Sequence, residues 1–152
     1  MAIHKDFPVS PHEILAPEIR WFPADESLRG SSYEKLMPPL VPELRKEVAK
    51  WRTGGYPDIS NTSKTLLNYW FKTSHPITHA DGTISNFQYY FAQREAVETV
   101  IYLHEAVKVA DKYDLLRFSK SGAVSPKLFE ETWRRYVLKM ATGSGKTKVM
   151  SL

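Results

Sequence analysis

The chain has 152 residues, of which 42% are hydrophobic and 25% charged, and these values predict a single globular domain with a core of its own. It contains no cysteine, which excludes disulfide bonds and thiolate metal sites and fits a reducing compartment. The N-terminus has no long apolar stretch, so neither a secretory signal nor a membrane span is indicated, and by elimination we expect a cytoplasmic protein. The net charge of +4 is compatible with nucleic acid without requiring it.

Residues 1–41 form the first predicted region, an ordered but extended arm. Six prolines fall within it, and because proline fixes φ and removes a backbone donor, little regular structure is expected there. The neighbouring aromatic residues Trp21 and Phe22 are expected to hold the arm against the body of the protein.

Residues 42–115 form the second region, which is predicted to be a helical module. Its first helix begins at Pro42, since proline is favoured at the first helical position, and it ends at the pair Gly54 and Gly55. A second helix is predicted over 63–73, where the apolar face is broad enough for the helix to be mostly buried.

The stretch between the second and third helices favours a loop, with a small hairpin centred on Asp81 and Gly82. The longest predicted helix follows over 87–113, because apolar residues recur along one face at helical spacing. Gly122 and Pro126 then mark irregular structure after the helical module.

Residues 116–152 form the third region, which is predicted to be an insertion followed by a strand and a glycine-rich loop. The strand is predicted over 134–140, because Tyr136, Val137 and Leu138 make a short apolar run. The loop "ATGSGKT" comes directly after it. A strand, a glycine-rich loop, and then lysine and threonine at the start of a helix are typical of a phosphate-binding P-loop.

Each residue type in this loop matches a need of phosphate binding. Gly143 and Gly145 let consecutive backbone N–H groups curl around the phosphates. Lys146 is the candidate catalytic residue, because its ammonium group can reach the β- and γ-phosphates, and the Thr147 hydroxyl is the candidate ligand of Mg²⁺. The strict pattern asks for glycine where this chain has Met140. The remaining loop positions that would contact the nucleotide are Thr142 and Ser144.

The stretch "LKMATGSGKT" resembles motif I of superfamily 2 helicases, which bind ATP and Mg²⁺ at this loop. That family also has an upstream Q-motif, in which a glutamine close to an aromatic residue reads the adenine base. The stretch "YYFAQREAVETVIYLHE" resembles this element, which implies that Gln93 is the adenine reader and that Phe91 or Tyr90 lies near the base. A glutamine amide suits adenine because it can donate to N7 and accept from the N6 amino group at once.

A more particular resemblance is to DEAD/DEAH-type helicases related to the restriction subunit of type III restriction enzymes, and it covers residues 42–152. Together with the predicted helices, it implies a mainly α fold in which a helical N-terminal module precedes the first strand and P-loop of a truncated RecA-like α/β domain. It further implies an ATP-hydrolysing helicase or translocase, with endonuclease activity as an option. The implied substrate is double-stranded DNA, in restriction or phage defence, beside a modification or defence-system subunit.

Two expectations follow from the spacing and the end of the chain. Gln93 and Lys146 lie further apart than in simpler helicases, so the insertion after residue 115 must loop out if both are to meet one nucleotide. Only five residues follow Thr147, too few for the sheet that supports such a loop, which predicts a fragment that does not turn over ATP by itself. Its unpaired strand favours self-association.

An alternative function of a different class stays open. The chain can be a non-catalytic α-helical interaction module that ends in a P-loop remnant. The coding sequence after Leu152 separates the two, because a helicase needs an acidic box and a second lobe.

Overall fold

The computed structural model describes residues 40–119, 122, 136–140 and 142–152. These residues form a mainly helical fold, as predicted, to which a two-stranded hairpin is added. The predicted arm, up to residue 39, and most of the predicted insertion lie outside the described residues. The elements in chain order are α1 (Val41–Thr53), α2 (Asn61–Lys72), β1 (His75–Thr78), β2 (Ile84–Phe87), α3 (Phe91–Ile101) and α4 (Lys146–Met150).

Helix α1 forms where the sequence predicts it. A proline stands in its first turn, Glu43 lies near its positive N-terminal end, and Lys50 and Arg52 lie near its negative C-terminal end, which suits the helix dipole. The chain leaves the helix through Gly54 and Gly55. Gly55 has a φ of +80°, a left-handed conformation that glycine reaches without strain.

Helix α2 is capped by Ser60, whose hydroxyl accepts a hydrogen bond from the Ser63 backbone N–H at 3.2 Å. Glu105 binds the same turn, because its carboxylate accepts from the Ser63 hydroxyl and from the Ser60 N–H. These hydrogen bonds hold the pKa of Glu105 below its usual value. The cap is therefore attached to the segment that follows α3. Helix α2 buries only Leu67 and Phe71, while Leu66 and Tyr69 are exposed, so the prediction of a mostly buried helix is wrong.

The predicted hairpin is present as an antiparallel pair of strands, in which His75 lies opposite Phe87. The His79 N–H donates to the Thr83 carbonyl oxygen at 2.8 Å and closes the turn. Gly82 has a φ of +82°, the left-handed conformation that a short hairpin turn needs at its last position. Most side chains of both strands are exposed, so the hairpin lies on the surface of the fold.

Helix α3 begins at Phe91, later than predicted. The helix was predicted to begin at residue 87, but Phe87 is the last residue of strand β2, so the first turn of the predicted helix does not form. The Tyr90 N–H would lack a partner at the start of the helix, and it donates to Gln93 Oε1 at 2.8 Å instead. Gln93 therefore caps the helix that carries it.

The far end of α3 also differs from the prediction, which placed one helix up to residue 113. The α-helix ends at Ile101 and widens into a π-helical turn over Tyr102–Ala106. Lys108 then has a φ of +57°, which an α-helix cannot contain. A short 3₁₀ turn over Tyr113–Phe118 follows. The prediction of one continuous helix is therefore wrong.

Buried apolar side chains form two clusters. The larger one joins both early helices, the end of the hairpin, α3 and α4, and its Trp51 and Tyr56 rings meet edge to face with centroids 4.8 Å apart. The smaller one gathers Leu103, Val109 and Phe118. The buried members of the larger cluster are Trp51, Tyr56, Leu67, Phe71, Tyr89, Val97 and Val149.

A fully buried carboxylate, that of Glu98, links α1, α3 and the loop after α1. The Arg52 guanidinium donates to Glu98 Oε2 through two nitrogens, with Nε at 2.7 Å, and Arg94 Nε donates to Oε1 at 2.8 Å. The Tyr56 hydroxyl donates to Oε1 at 2.6 Å and accepts from Arg94 at 3.0 Å. Because a buried charge is tolerated only when partners satisfy it, we call these four side chains the Glu98 network and regard it as the joint between α1 and α3.

The strand predicted over 134–140 is not formed in the part that the structure describes. Residues 136–140 are irregular, and among the described residues only β1 and β2 pair. Val137 is 83% exposed and Leu138 41% exposed, so the apolar run that suggested a buried strand is largely in contact with solvent. The prediction relied on sheet neighbours, and an apolar run without such neighbours has no ladder to join.

Glu98→Ala is predicted to lower the free energy of unfolding by about 3–5 kcal/mol, because it leaves two partly buried arginines and the buried Tyr56 hydroxyl without their carboxylate. Urea unfolding followed by tryptophan fluorescence measures this loss. The matched control is Glu43→Ala, which breaks an exposed pair with Lys46 and should cost less than about 1 kcal/mol. Equal losses in the two variants would contradict the role given to the Glu98 network.

Stability should also fall at alkaline pH through Tyr56. Burial, together with the adjacent Glu98 carboxylate, raises the pKa of Tyr56 from 10.0 to about 12. The folded state therefore favours the protonated phenol, and this contribution is complete below pH 10 and is lost as the pH rises toward about 12. The free energy of unfolding of the native chain should therefore approach that of Tyr56→Phe as the pH rises from 10 toward about 12. A constant difference between them would refute the prediction.

Candidate nucleotide site

The glycine-rich loop has the curled backbone that phosphate binding needs. Gly143 has a φ of +79° and Gly145 a φ of +76°, both left-handed, with Ser144 between them. Helix α4 starts immediately after Gly145 and has only five residues, so its dipole adds little to the site. Any attraction for phosphate therefore comes from the loop N–H groups and from Lys146.

The structure brings the predicted adenine reader onto this loop. Gln93 Nε2 donates to the Gly145 carbonyl oxygen at 3.2 Å, although the two residues lie 52 positions apart in sequence. The other end of the same amide accepts from the Tyr90 N–H at 2.8 Å. Gln93 is 3% exposed, so its side chain is enclosed between the start of α3 and the loop.

Gly145 is needed at this position for two separate reasons. Its left-handed φ disfavours any other residue, and a Cβ added to it would lie 2.2 Å from Gln93 Nε2. A Cβ added to Gly143 would meet nothing within 4 Å. Of these two glycines, therefore, only Gly145 is required for the close approach of the loop to α3.

Helix α4 is attached to the helical module by its side chains. Val149 is buried in the larger core cluster, and Met140 and Leu152 pack against the same cluster. Lys148 Nζ lies 5.6 Å from the centroid of the Phe87 ring and a similar distance from that of Tyr89, close enough for a cation–π attraction. The loop is thus held by the packing of Met140 before it, by Gln93 at its last residue and by α4 after it.

Lys146, the predicted phosphate lysine, turns back across the loop. Its Nζ donates to the Met140 carbonyl oxygen at 2.9 Å, at the position where the strict pattern has glycine. Lys146, Thr147 and Thr142 are exposed, and Ser144 is partly exposed. The loop side chains named from the sequence therefore lie together at the surface, where a charged ligand can reach them.

Phe91, predicted as an aromatic neighbour of the base, is occupied by another contact. The Arg52 guanidinium carbon lies 5.4 Å from the centroid of its ring, and the ring is only partly exposed. Tyr90 is 66% exposed and its backbone N–H binds Gln93. Of the two aromatic residues proposed from the sequence, Tyr90 is therefore the more accessible to a base.

The residues of the loop fit Mg²⁺ only as part of a nucleotide complex. Among the described residues, no group of three or more acidic or histidine side chains could hold a metal ion. A magnesium ion at a P-loop takes most of its ligands from phosphate oxygens and water, and takes one hydroxyl from the protein. The exposed hydroxyl of Thr147 can supply that ligand.

Two polar features outside the glycine-rich loop were not predicted from the sequence. The Glu98 network begins one residue after Gln93 in α3, and its members come from two distant stretches of chain, Arg52 with Tyr56 and Arg94 with Glu98. An open depression of about 530 Å³ lies at the far end of α3. It is lined by Asp58, Ile59, Ser60, His104, Glu105 and Lys108.

Gly145→Ala is predicted to loosen α4, because the added Cβ displaces Gln93 and strains the backbone by about 1–2 kcal/mol. Amide hydrogen exchange over 142–152 should become faster. Gly143→Ala is the matched control, since its φ is equally left-handed and its Cβ meets no neighbour. If both variants accelerated exchange to the same degree, the Gln93 contact would not be what holds the loop.

Comparison with known proteins found no relative of this chain. No protein-family model matches the chain, and neither a curated protein nor a solved structure matches it. No helix among the described residues has the length and apolar character to cross a membrane. The function is therefore argued from the residues and contacts described above.

Proposed function

We propose that this chain carries the first nucleotide-binding elements of an ATP-dependent DNA helicase or translocase, similar to the restriction subunit of type III restriction enzymes. The observation that supports it most is the hydrogen bond between Gln93 and Gly145. It joins the residue that resembles an adenine reader to the loop that resembles a phosphate binder. Chance similarity of the two stretches would not require them to touch.

Gln93 keeps enough hydrogen-bonding capacity to read adenine. Its amide has two N–H donors and an oxygen with two lone pairs, and the structure uses one of each kind. One donor and one acceptor remain, which is what N7 and the N6 amino group of adenine require. Because Gln93 is 3% exposed, a base can reach its amide only when the contacts that enclose this side chain open.

The loop would bind the phosphates through its backbone and one lysine. The N–H groups around Gly143 and Gly145 would surround the β-phosphate, and Lys146 would exchange its bond to Met140 for one to a phosphate oxygen. Thr147 would hold Mg²⁺, which when bound neutralises developing charge on the phosphates. The groups that would bind the phosphates all lie within residues 143–147, so the phosphate contacts themselves need no group from a distant element.

The remaining parts of the proposal rest on the resemblance. They are a RecA-like α/β domain around the loop, double-stranded DNA as the substrate, a role in restriction or phage defence, and a cytoplasmic location. ATP hydrolysis by such proteins also needs an acidic residue for the metal and arginines from a second lobe. We therefore propose nucleotide binding for the elements described here and assign turnover to residues outside them.

Lys146→Ala is predicted to weaken Mg·ATP binding by more than about tenfold, because charge-assisted hydrogen bonds contribute about 1.5–3 kcal/mol. Isothermal titration calorimetry of the native chain and the variant measures this. Lys139→Ala is the control, since it removes the same charge from an exposed position beside the loop. If both substitutions weakened binding equally, the loss would come from the lower positive charge of the protein, and a specific phosphate-binding role for Lys146 would be contradicted.

The second candidate is a non-catalytic helical interaction module with a P-loop remnant. Two observations favour it: Lys146 is bonded to Met140, and Gln93 is enclosed, as expected of a loop that binds no ligand. The same titration separates the two functions. A native chain without measurable affinity for Mg·ATP would support the interaction module.

A further inference from the structure

The residue next to the predicted adenine reader is part of a buried polar network. Arg94 follows Gln93 in α3, and its guanidinium binds Glu98 Oε1 at 2.8 Å and the Tyr56 hydroxyl at 3.0 Å. The same guanidinium lies 5.5 Å from the centroid of the Phe71 ring. Arg94 is therefore held by α3 itself, by the loop after α1 and by α2, which leaves its backbone little freedom to rotate.

Arg52 reaches the same helix from α1 and spans the position of Gln93. Its guanidinium binds Glu98 Oε2 and lies over the ring of Phe91. Phe91 is the first residue of α3 and Glu98 lies two turns further along, with Gln93 between them. One arginine thus fixes both ends of the helical segment that carries the glutamine.

We infer that the Glu98 network is the positioning device that aims the Gln93 amide at the base, and that it sets the preference of this site for adenine. This inference rests on the proposed function. The hydrogen bonds of Glu98 and Arg52 join them to each other, to Arg94 and to Tyr56, so their effect on a base passes through the part of α3 that carries Gln93. The two hydrogen bonds that read adenine are directional, and a small rotation of the first turns of α3 would weaken both.

A neighbouring ion pair provides an internal comparison. Glu95, also on α3, pairs with Arg45 of α1 at 3.0 Å, so it too joins these two helices. The Glu98 carboxylate is fully buried and contacts Arg94 and Tyr56 in addition to an arginine of α1. Removing the charge of Glu95 should therefore disturb the contact between the helices while leaving Arg94 and Gln93 in place.

The experiment compares two ligands, Mg·ATP and magnesium tripolyphosphate, which share phosphates but not the base. Their affinities are measured by calorimetry for the native chain and for the variants Gln93→Ala, Glu98→Gln and Glu95→Gln. The readout is the affinity for Mg·ATP divided by the affinity for magnesium tripolyphosphate. Removal of an acidic group raises the affinity for any polyphosphate, and this effect cancels in the ratio. A change in this ratio reports on base recognition, which a general loss of stability would not alter selectively.

Glu98→Gln should lower the ratio by about tenfold, to the level of Gln93→Ala, since two hydrogen bonds of ordinary net strength are involved. Glu95→Gln should keep the native ratio. If Glu98→Gln does not fold by circular dichroism, Tyr56→Phe and Arg52→Lys take its place, because each weakens the network and retains most of the packing. Tyr56→Phe should lower the ratio by a smaller factor.

Two results overturn separate parts of the account. If Gln93→Ala lowers the ratio while folded network variants keep it, base recognition stands and the positioning role is wrong. If the native chain binds neither ligand, the proposed function fails, and the positioning role fails with it. If Glu95→Gln lowers the ratio as much as Glu98→Gln, the effect belongs to the whole contact between α1 and α3, and the inference is again wrong.

Discussion

The buried carboxylate of Glu98 is the constraint on which the rest of this fold depends. A charge taken out of water must be matched by partners, and here they come from α1, from the loop after α1 and from α3 itself. The partners belong to different elements, so this carboxylate, together with the Arg45–Glu95 pair, orients α3 against α1. The apolar cluster around Trp51 and Tyr56 then fills the space beside it. Apolar packing alone would leave the rotation of α3 less well determined, because such contacts have no direction.

Gln93 connects the glycine-rich loop to this frame by a directed hydrogen bond, beside the apolar packing of Met140 and Val149. Gln93 satisfies the Tyr90 N–H at the start of α3 and donates to the Gly145 carbonyl at the end of the loop. The same side chain is therefore a helix cap and a link between distant segments. Glycine at position 145 allows the approach, since a Cβ there would collide with the amide. Order in the loop and order at the start of α3 are consequently coupled, which is the property that a nucleotide site between them requires.

The sequence predicted the elements whose signals are local. Helix α1 has a proline at its start and glycines at its end, and the hairpin has Gly82 at its turn, so both were predicted correctly. The long helix was predicted without its π-helical turn, because nothing in the apolar pattern shows where Lys108 adopts a left-handed conformation. The strand over 134–140 was predicted from an apolar run, and a strand depends on neighbours that a local pattern cannot reveal. The loop glycines and Gln93 could be named in advance, whereas the Glu98 network could not, since Glu98 lies 46 positions from Arg52 and 42 positions from Tyr56 in the chain.

The most direct test of the central claim is the NMR signal of the Gln93 side-chain amide, assigned by comparison with the Gln93→Ala variant. In the chain without ligand, its two N–H protons should differ in hydrogen exchange, because one is bound to Gly145. Addition of Mg·ATP should shift these resonances, whereas magnesium tripolyphosphate should shift mainly the loop amides. A Gln93 signal that stays unchanged in a chain saturated with Mg·ATP would contradict the account.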